Sequence, residues 1–555
     1  MSRRALLVGP GLAVLLAWLV GYPLAVTFAA ALAGPSPGGV LGFLGPLGEV
    51  LARPDELAAL GRSLWISLAS VALSAALGVP LAFLFTRHEF PGRRALAALV
   101  ALPVALPPLV GVIAFLYLYG ESGLAARAVS GLLGLGGAPW RLTGPGAILL
   151  VHAYSMYVYF YLFTRAALLR EDPSLAEAAA VLGAGRFRTL VRITLPALGP
   201  ALAGAAVLVF MTSLGSFSAP YLFGGSFRVM TTQILSSKQN GDLEHAEGET
   251  ALLVAAALGG LWVARRLDRR RDRPVGQHGT PPAPRRSPRR AVRVAAAVGG
   301  WALALLLLAP HATLLLLSFV PPGSWTTEAF PPVFAIGNYA ALVSSAERLR
   351  PVVNSLWMAA VATAGALALG LAVAQVAVMR RGRLGTVLEW LMALPWAVPG
   401  TAFAFALATT FSVNSPLTLR FLLIGTPWIL PLAYLVRALP VTGGAALTGL
   451  RRLDPSLAEA ASSLGASPAR IFRRVTLPAI APALAAGASL ALLAALGDFV
   501  LSIVLYGYET RPISIEILSA LRLQETGVAA AYGVLLAAAS AVAFLLFGQE
   551  QGSGG

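Results

Sequence analysis

The octapeptide DPSLAEAA occupies residues 172–179 of the chain and occurs again, unchanged, at residues 454–461. The match extends further, because 20 of the 31 positions in residues 172–202 are identical to the residue 282 positions later. Weaker matches lie at an offset of 292: SLW at 63–65 and 355–357, and ALP at 101–103 and 393–395. An internal repeat of this length predicts two homologous halves within one chain.

The composition indicates that most of the chain lies in lipid. Hydrophobic residues make up 57% of the 555 residues, charged residues make up only 12%, and the mean hydropathy is +0.77. A helix needs about 20 apolar residues to cross the hydrocarbon of a bilayer. Twelve apolar runs, of which the sixth is short, are assigned as spans: 6–32, 64–85, 95–119, 147–169, 201–222, 252–263, 294–320, 355–378, 387–410, 422–439, 479–505 and 528–547.

The Lys and Arg residues predict the orientation of these spans. Twelve spans place both termini on one side, and 30 of the 41 Lys and Arg residues fall on that side, with Arg165 and Arg437 counted at the inner ends of their spans. Because cytoplasmic loops carry the excess of positive charge, both termini are predicted to be cytoplasmic, in a multi-pass protein of the cell inner (plasma) membrane. The basic residues occur in short clusters between apolar runs, so membrane topology explains the net charge of +17; membrane lipid is a predicted partner and nucleic acid is not.

The predicted domains follow from the repeat and the spans. Residues 1–264 form a first half of six spans, residues 294–548 form a second, and residues 549–555 form a tail or linker scar. Six spans in each half give both halves the same orientation, so the repeat is parallel. Residues 265–293 are rich in Arg and Pro and are predicted to be a disordered cytoplasmic linker, with an anionic-lipid contact as the alternative. The predicted fold class is an all-α membrane protein with two parallel six-helix halves.

Each strong repeat is predicted to form two short helices on the cytoplasmic side. Asp172 suits the N-cap, because a side-chain oxygen there accepts from free backbone N–H groups, and Pro173 suits the first helical position. Gly183 suits the left-handed residue that ends a helix, and Pro196 is expected to end the second short helix before the next span. The same roles fall on the residues 282 positions later: Asp454, Pro455, Gly465 and Pro478. A plain connector that only shapes a turn is the alternative.

The repeated motif resembles the EAA loop of ABC-importer permeases. In both copies, over residues 171–200 and 453–482, Glu-Ala-Ala is followed by Leu-Gly and then by Leu-Pro. In that family the short EAA helix is a coupling helix, which sits in a cleft of a separate ATP-binding subunit. The resemblance implies the type I ABC importer permease fold. It also implies that two copies of the ATP-binding subunit dock on eight residues: Glu177, Ala178, Ala179, Gly183, Glu459, Ala460, Ala461 and Gly465.

The resemblance also implies a function and partners. The fused form is similar to the ferric-iron, thiamine and aminoethylphosphonate importer permeases, with ferric iron as the first expectation and the other two substrates left open. Substrate is expected from a periplasmic or lipid-anchored binding protein, and ATP and Mg²⁺ are expected on the partner ATPase, with no cofactor on this chain. An ion-coupled secondary transporter is the alternative class, since it also has two parallel halves. Such a carrier has no reason to keep a doubled EAA loop.

No catalytic or metal site is predicted within the chain. A phosphate-binding P-loop needs a Lys, and the one Lys present, Lys238, has no glycine pattern before it. The five histidines show no zinc-binding spacing and the chain has no Cys, so no metal ligands are predicted. Any ATP hydrolysis is therefore expected on another polypeptide.

Two polar positions are predicted to line a translocation path. Asp498 in the eleventh span is matched, 282 positions earlier, by Ser216 in the fifth. Polar groups within spans are costly and tend to face a cavity, and the fifth span of each half lines the path in related permeases. The carboxylate could instead pair with an Arg or cap a helix break. Four acidic residues on the outer side are predicted to form a solvated loop, with a binding-protein contact as the alternative: Asp242, Glu244, Glu247 and Glu249.

Overall fold

The chain folds almost entirely into helices, which confirms the all-α prediction. The computed structural model describes residues 3–33, 44–101, 103, 107–172, 174–269, 285–286, 290–325, 328–380 and 382–548. Within these ranges the only strands are β1 (His88–Glu89) and β2 (Arg285–Arg286), two residues each, which pair in parallel. Residues 549–555 and most of the predicted linker lie outside the described residues, and so does Pro173.

The helices before the linker are α1 (Arg3–Leu16), α2 (Tyr22–Leu32), α3 (Gly45–Ala52), α4 (Pro54–Arg87), α5 (Arg93–Ala101), α6 (Pro108–Tyr119), α7 (Leu124–Leu133), α8 (Gly144–Leu168), α9 (Ser174–Val181), α10 (Arg186–Thr189), α11 (Leu195–Ala197), α12 (Gly199–Leu214), α13 (Ser218–Phe223), α14 (Met230–Gln239) and α15 (Leu243–Arg269). Those after it are α16 (Arg290–Leu317), α17 (Gly337–Ser344), α18 (Ala346–Met379), α19 (Arg383–Ala397), α20 (Gly400–Thr410), α21 (Ile429–Arg452), α22 (Pro455–Ser463), α23 (Pro468–Ile471), α24 (Leu477–Leu496), α25 (Val500–Leu505), α26 (Ile513–Arg522) and α27 (Thr526–Gly548).

The number of membrane spans agrees with the prediction. Among the described residues, ten helices are long and apolar enough to cross a membrane, and two bent helix pairs bring the number to twelve if each pair is one span. One bent pair joins Phe187–Ala197 to Gly199–Leu214 at 64°, and the other joins Arg383–Ala397 to Gly400–Thr410 at 107°. The twelve then divide into six before and six after the linker.

Three predicted spans need correction. The ninth is not straight, because α19 and α20 meet at 107° next to Pro399. The third is Pro108–Leu133 rather than 95–119, and α5 precedes it on the other side of Pro107. Proline has no N–H and disfavours helical geometry in the residue before it, and the proline four residues after each ALP motif, Pro107 or Pro399, stands directly before the next helix. The sixth span is longer than predicted, Leu243–Arg266 rather than 252–263, because its polar first turns are also helical.

The two halves interlock through their first helices. α2, from the first half, packs against α20 of the second, and α16, from the second half, packs against α5 and α6 of the first. The indole N–H of Trp18 donates to the carbonyl of Leu417 at 2.8 Å, and the hydroxyl of Tyr154 donates to the carbonyl of Leu307 at 2.7 Å. Each half therefore contributes one helix to the surface of the other.

Within each half, the second and fourth spans approach closely at a glycine. A Cβ on Gly78 of α4 would lie 2.3 Å from the carbonyl oxygen of Tyr157 in α8. At the position 292 residues later, a Cβ on Gly370 of α18 would lie 2.8 Å from the nitrogen of Gly443 in α21. Small residues allow such close helix contacts in membranes. The offset of 292 thus marks a packing contact that both halves share.

An arginine within a span supports the 107° bend. Arg437, on α21, donates through one guanidinium nitrogen to the carbonyl oxygens of Pro395 and Val398, the latter at 2.9 Å. These carbonyls lie at the end of α19, where the bend removes the next helical N–H groups that would pair with them. Arg437 therefore lies at the bend and not at the inner end of its span, which corrects the position predicted from the sequence. Its charge is thereby matched to free carbonyl dipoles.

Candidate functional site: the two EAA helices and the breaks in the fifth and eleventh spans

The repeated octapeptides form α9 and α22, here called the EAA helices. Asp172 Oδ1 accepts from the backbone N–H of Ser174 at 2.9 Å, and Asp454 Oδ1 accepts from that of Ser456 at 2.9 Å. These bonds confirm the predicted N-caps. Because the accepted backbone hydrogen bond stabilises the ionised carboxylate, the pKa of each Asp lies below its ordinary value.

Both EAA helices end at a left-handed glycine, as predicted. Gly183 has φ +80° and Gly465 has φ +78°. After the first helix, Ala184 N–H donates back to the carbonyl of Ala179 at 2.9 Å, and the second loop has the same bond at 3.0 Å. A Cβ on either glycine would meet no described atom within 4 Å. Backbone conformation, and not lack of space, therefore favours glycine at these two positions.

The second short helix of each loop differs from the prediction. A π turn occupies Leu190–Thr194 in the first loop and Phe472–Thr476 in the second. The helix does not stop at Pro478, since Pro468–Leu496 is one continuous candidate span, whereas in the first half a 64° bend separates Phe187–Ala197 from Gly199–Leu214. The expected stop is therefore wrong at Pro478, whereas in the first half the short helix does end next to Pro196, at Ala197, before the following helix begins at Gly199. The wider hydrogen-bond spacing of the π turn accommodates a residue that has no N–H.

The EAA helices present carboxylates together with exposed apolar side chains. Glu177 and Glu459 are both exposed. Leu182 is 87% exposed and Leu464 is 88% exposed, at equivalent positions just after the helices. The packing contacts of each helix are with the short helix and π turn of its own loop. Of the motif alanines, Ala179 is buried, Ala461 is half-buried, and Ala178 and Ala460 are exposed.

On the side of the molecule that carries the EAA helices, two ion pairs involve the ends of long helices. Arg87, at the end of α4, pairs with Glu171 at 2.8 Å, immediately before the first N-cap. In the second half Arg451, at the end of α21, pairs with Glu389 of α19 at 2.5 Å. Half-exposed pairs of this kind contribute under about 1 kcal/mol to stability. They therefore contribute mainly by position: one holds the start of the first EAA loop against the end of α4, and the other holds the end of α21 against α19.

The fifth and eleventh spans are interrupted at the predicted path residues. Helical structure stops over residues 215–217 and again over residues 497–499. Asp498 Oδ1 accepts from the backbone N–H of Leu501 at 2.8 Å and from that of Ser502 at 3.3 Å. The carboxylate therefore caps α25, which is one of the alternatives considered for it.

Ser216 is held by a buried histidine to which no sequence pattern points. His152 Nε2 lies 2.9 Å from Ser216 Oγ, and its Nδ1 lies 2.9 Å from Ser70 Oγ and 3.2 Å from Ser213 Oγ. His152 is 1% exposed. Three serines from three helices or loops thus satisfy one imidazole, and no sequence spacing indicates this arrangement.

The two breaks are tied in the same way to α14 and α26, the second helix after each break. The hydroxyl of Thr231 donates to the carbonyl of Ser216 at 2.9 Å, and that of Ser514 donates to the carbonyl of Asp498 at 2.7 Å. The first N–H of each of these two helices donates to the Ser of a repeated SLW motif. In α14, Met230 donates to Ser63 at 2.9 Å, and in α26, Ile513 donates to Ser355 at 2.8 Å. The weak SLW repeat therefore marks a structural anchor of each half.

The two halves meet at the breaks. The rings of Phe217 and Phe499, directly after Ser216 and Asp498, lie 5.7 Å apart and are 1% and 2% exposed. A Cβ on Gly497 would lie 2.6 Å from Pro107 Cβ, and the corresponding contact joins Gly215 to Pro399. The interface between the halves is closed by aromatic rings at this level.

A cavity of about 230 Å³ lies beside this contact. Residues from both halves line it, including Pro107, Tyr154, Ser155, Thr212 and Leu493. Its described lining does not include Ser216 or Asp498. The two predicted path residues therefore lie at the closed interface and not at the cavity wall.

The predicted acidic outer loop is largely a helix. Asp242 precedes α15, while Glu244, Glu247 and Glu249 lie on its first turns. Glu249 is 0% exposed, because α15 packs there against α3 and α14. The expectation of a solvated loop is therefore wrong for this residue.

The described residues form ten to twelve candidate spans in two interlocked halves, and each half carries one exposed EAA helix. The chain belongs to the family of binding-protein-dependent transport system inner membrane components, whose model matches residues 74–273 and again residues 366–549. The match occurs once in each half, so two permease units are fused in one multi-pass inner membrane protein. Between the two transporter classes considered, the family match favours the ABC importer.

Named relatives cover different shares of the chain. The probable ABC transporter permease protein y4fN of Sinorhizobium fredii is 28% identical over 507 residues, 91% of this chain and 89% of that protein. The ferric transport system permease protein FbpB of Actinobacillus pleuropneumoniae is 27% identical over 466 residues, 80% of this chain but only 64% of that protein. The molybdenum transport system permease protein ModB of Mycobacterium bovis is 33% identical over 182 residues, 33% of this chain and 67% of that protein.

Proposed function

We propose that this chain is the permease subunit of an ATP-driven importer, through which substrate from a binding protein passes between the two halves into the cytoplasm. Two copies of a separate ATP-binding subunit hold the ATP and Mg²⁺ and grip the two EAA helices. Both termini and both EAA helices are cytoplasmic in this proposal. Residues 1–264 and 294–548 act as the two permease halves, with residues 265–293 as their linker.

The duplicated EAA helix carries this proposal. An exposed leucine and an exposed glutamate recur at the same positions of two loops, although each loop has few contacts with the rest of the chain. Exposed apolar groups with a polar surround are typical of protein–protein contacts. The family is binding-protein-dependent, which supports delivery by a binding protein.

Ferric iron is the proposed substrate. The support is the relative named for ferric transport, which matches 80% of the chain, whereas the relative named for molybdenum transport matches 33%. Iron delivered as Fe³⁺ would move along a path that needs oxygen donors, since hard cations prefer carboxylate, carbonyl and hydroxyl oxygens. Asp498 and Ser216 are proposed to contribute such oxygens when the interface between the halves opens.

Replacing Glu177 and Glu459 together by alanine is expected to weaken binding of the ATP-binding subunits. Truncating one partner of a charge pair at an interface costs about 2 kcal/mol or more, which corresponds to about 30-fold in affinity at each site. The measurement is a pull-down of the ATP-binding subunit with the single and double variants, together with the ATPase rate of the assembled complex.

Glu89→Ala is the matched control, because Glu89 is an exposed carboxylate in β1, directly after α4, on the side of the molecule that carries the EAA helices. It should bind the ATP-binding subunit at the parental level. The chain without that subunit should hydrolyse no ATP. If the double variant retains parental binding and parental coupled ATPase activity, the EAA helices are not the docking sites and the proposal fails.

Asp498→Asn is expected to lower uptake of radiolabelled ferric iron while leaving the fold intact. The amide oxygen of Asn accepts the same two backbone N–H groups, so the cap of α25 survives while the negative charge is removed. Asp498→Ala should lose the cap as well, at about 1 kcal/mol of stability. Uptake into proteoliposomes and thermal unfolding of the solubilised protein separate the two effects. Parental uptake by Asp498→Asn would restrict the residue to its structural role.

A further inference from the structure

Three buried titratable side chains meet at the end of the first half that is remote from the EAA helices. Glu56 lies in the first turn of α4, and His245 and Glu249 lie in the first two turns of α15. Their exposed fractions are 4%, 6% and 0%. His245 Nε2 lies 3.4 Å from Glu56 Oε1 and 3.6 Å from Glu249 Oε1. One ligand atom from each side chain falls within 4.8 Å of the other two.

The cluster is incompletely satisfied within the described part of the chain. Glu56 Oε2, Glu249 Oε2 and His245 Nδ1 are buried and have no hydrogen-bond partner there. Among the described residues the two carboxylates form ion pairs with His245 alone, and residues 34–43, which lie outside that part, contain no Lys or Arg. Burying two carboxylates without enough positive charge is costly. The arrangement lacks a cation.

At the corresponding place in the second half, the charged side chains are paired. Glu56 matches Arg348, 292 positions later, and Arg348 donates to both oxygens of Glu525 at 3.0 and 3.3 Å. Tyr532 stands 283 positions after Glu249, and its hydroxyl donates to the carbonyl of Arg348 at 2.6 Å. The second half therefore has an ion pair at this position, whereas the first half brings together two carboxylates and an imidazole.

We propose that Glu56, His245 and Glu249 bind a divalent transition-metal ion, with Zn²⁺ as the best match. Two ligand atoms about 2.1 Å from a zinc ion at the tetrahedral angle are about 3.4 Å apart, close to the 3.4 and 3.6 Å that separate His245 Nε2 from Glu56 Oε1 and Glu249 Oε1. One imidazole with two carboxylates suits zinc and its neighbours in the first transition row, whereas Mg²⁺ and Ca²⁺ take oxygen ligands. Two carboxylates balance the charge of one divalent ion.

The surroundings support a resident ion and not a cargo in transit. Gln233 Nε2 donates to Glu56 Oε1 at 3.0 Å, and Ser237 Oγ donates to Glu249 Oε1 at 3.0 Å. These bonds orient each carboxylate, and an oxygen that accepts one hydrogen bond keeps a second lone pair with which to bind a metal. Because both donors belong to α14, the ion would join α4, α14 and α15. The inference does not depend on the proposed substrate.

Zinc binding by the purified full-length chain tests the proposal. The chain is solubilised in detergent, stripped with EDTA and incubated with Zn²⁺ alone, and zinc retained after gel filtration is measured by mass spectrometry. We expect about one zinc per chain and a higher thermal unfolding midpoint with zinc than without. In a competition assay with a chromophoric chelator, His245→Val and Glu249→Gln should each weaken zinc binding by more than about 10-fold.

His88→Ala is the control for adventitious binding, since His88 is an exposed histidine outside the cluster. It should retain zinc like the parent. Valine suits position 245 because the second half has Val528 283 positions later, and Glu56→Gln provides a variant of unchanged shape if His245→Val does not fold. Absence of retained zinc in the parent overturns the proposal. So does parental zinc affinity in the folded cluster variants, which would mean that the two carboxyl groups share a proton instead.

Discussion

Replacing Gly183 and Gly465 together by valine is expected to abolish ATP-coupled uptake. Both glycines have φ near +80°, where a β-branched residue is strained by about 1–3 kcal/mol. Relief of that strain would unwind the end of each EAA helix and displace the exposed leucine that precedes each glycine, Leu182 or Leu464. Two displaced contacts should lower ATPase-subunit affinity more than the loss of two carboxylates. Pull-down of the ATP-binding subunit and the ATPase rate of the reconstituted complex measure the effect.

Asparagine at the same two positions is the matched control. Asn adopts the left-handed conformation far more readily than valine and is similar in size. Since no described atom would lie near a Cβ on either glycine, the two substitutions differ mainly in backbone strain. The Asn double variant should therefore couple at close to the parental rate. Equal harm from Asn and Val would assign the effect to side-chain volume at the partner surface. A fully coupled Val variant would show that the left-handed stop is dispensable.

The features that the sequence predicts correctly are those set by local chemistry. Asp172 and Gly183 act on hydrogen bonds within a few residues of themselves, so their roles as cap and stop follow from residue type and spacing. The number of spans follows from the length of apolar runs, because every backbone polar group in lipid must be satisfied within a helix. These predictions need no tertiary information.

The features that the sequence misses depend on partners distant in the chain. Arg437 bonds carbonyls about 40 residues earlier, which become available only because α19 stops at a bend. His152 is satisfied by three serines, the most distant 82 positions away. Glu56 and His245 are separated by 189 positions, so no spacing rule for metal ligands finds them. The sequence does show a polar residue in an apolar run, but only the packing identifies its partner.

Arg437→Met is expected to destabilise the second half by about 3 kcal/mol. The substitution keeps most of the side-chain volume but leaves the carbonyls of Pro395 and Val398 without a donor. Each buried unpaired acceptor costs about 1–3 kcal/mol, and the surrounding lipid offers no replacement donor. Arg437→Lys should be intermediate, because an ammonium retains the charge but lacks the planar fork of donors. Unfolding of the solubilised protein, followed by tryptophan fluorescence during a denaturant titration, measures the loss.

Arg451→Met is the control on the same helix. Arg451 is 55% exposed and pairs with Glu389 at the membrane surface, so its loss should cost under about 1 kcal/mol. Destabilisation by Arg437→Met no larger than that by Arg451→Met would mean that the prolines alone hold the 107° bend. A larger loss would show that the buried guanidinium stabilises it. Since α20 packs against α25, immediately after the Asp498 break, the bend and the proposed path would then depend on the same arginine.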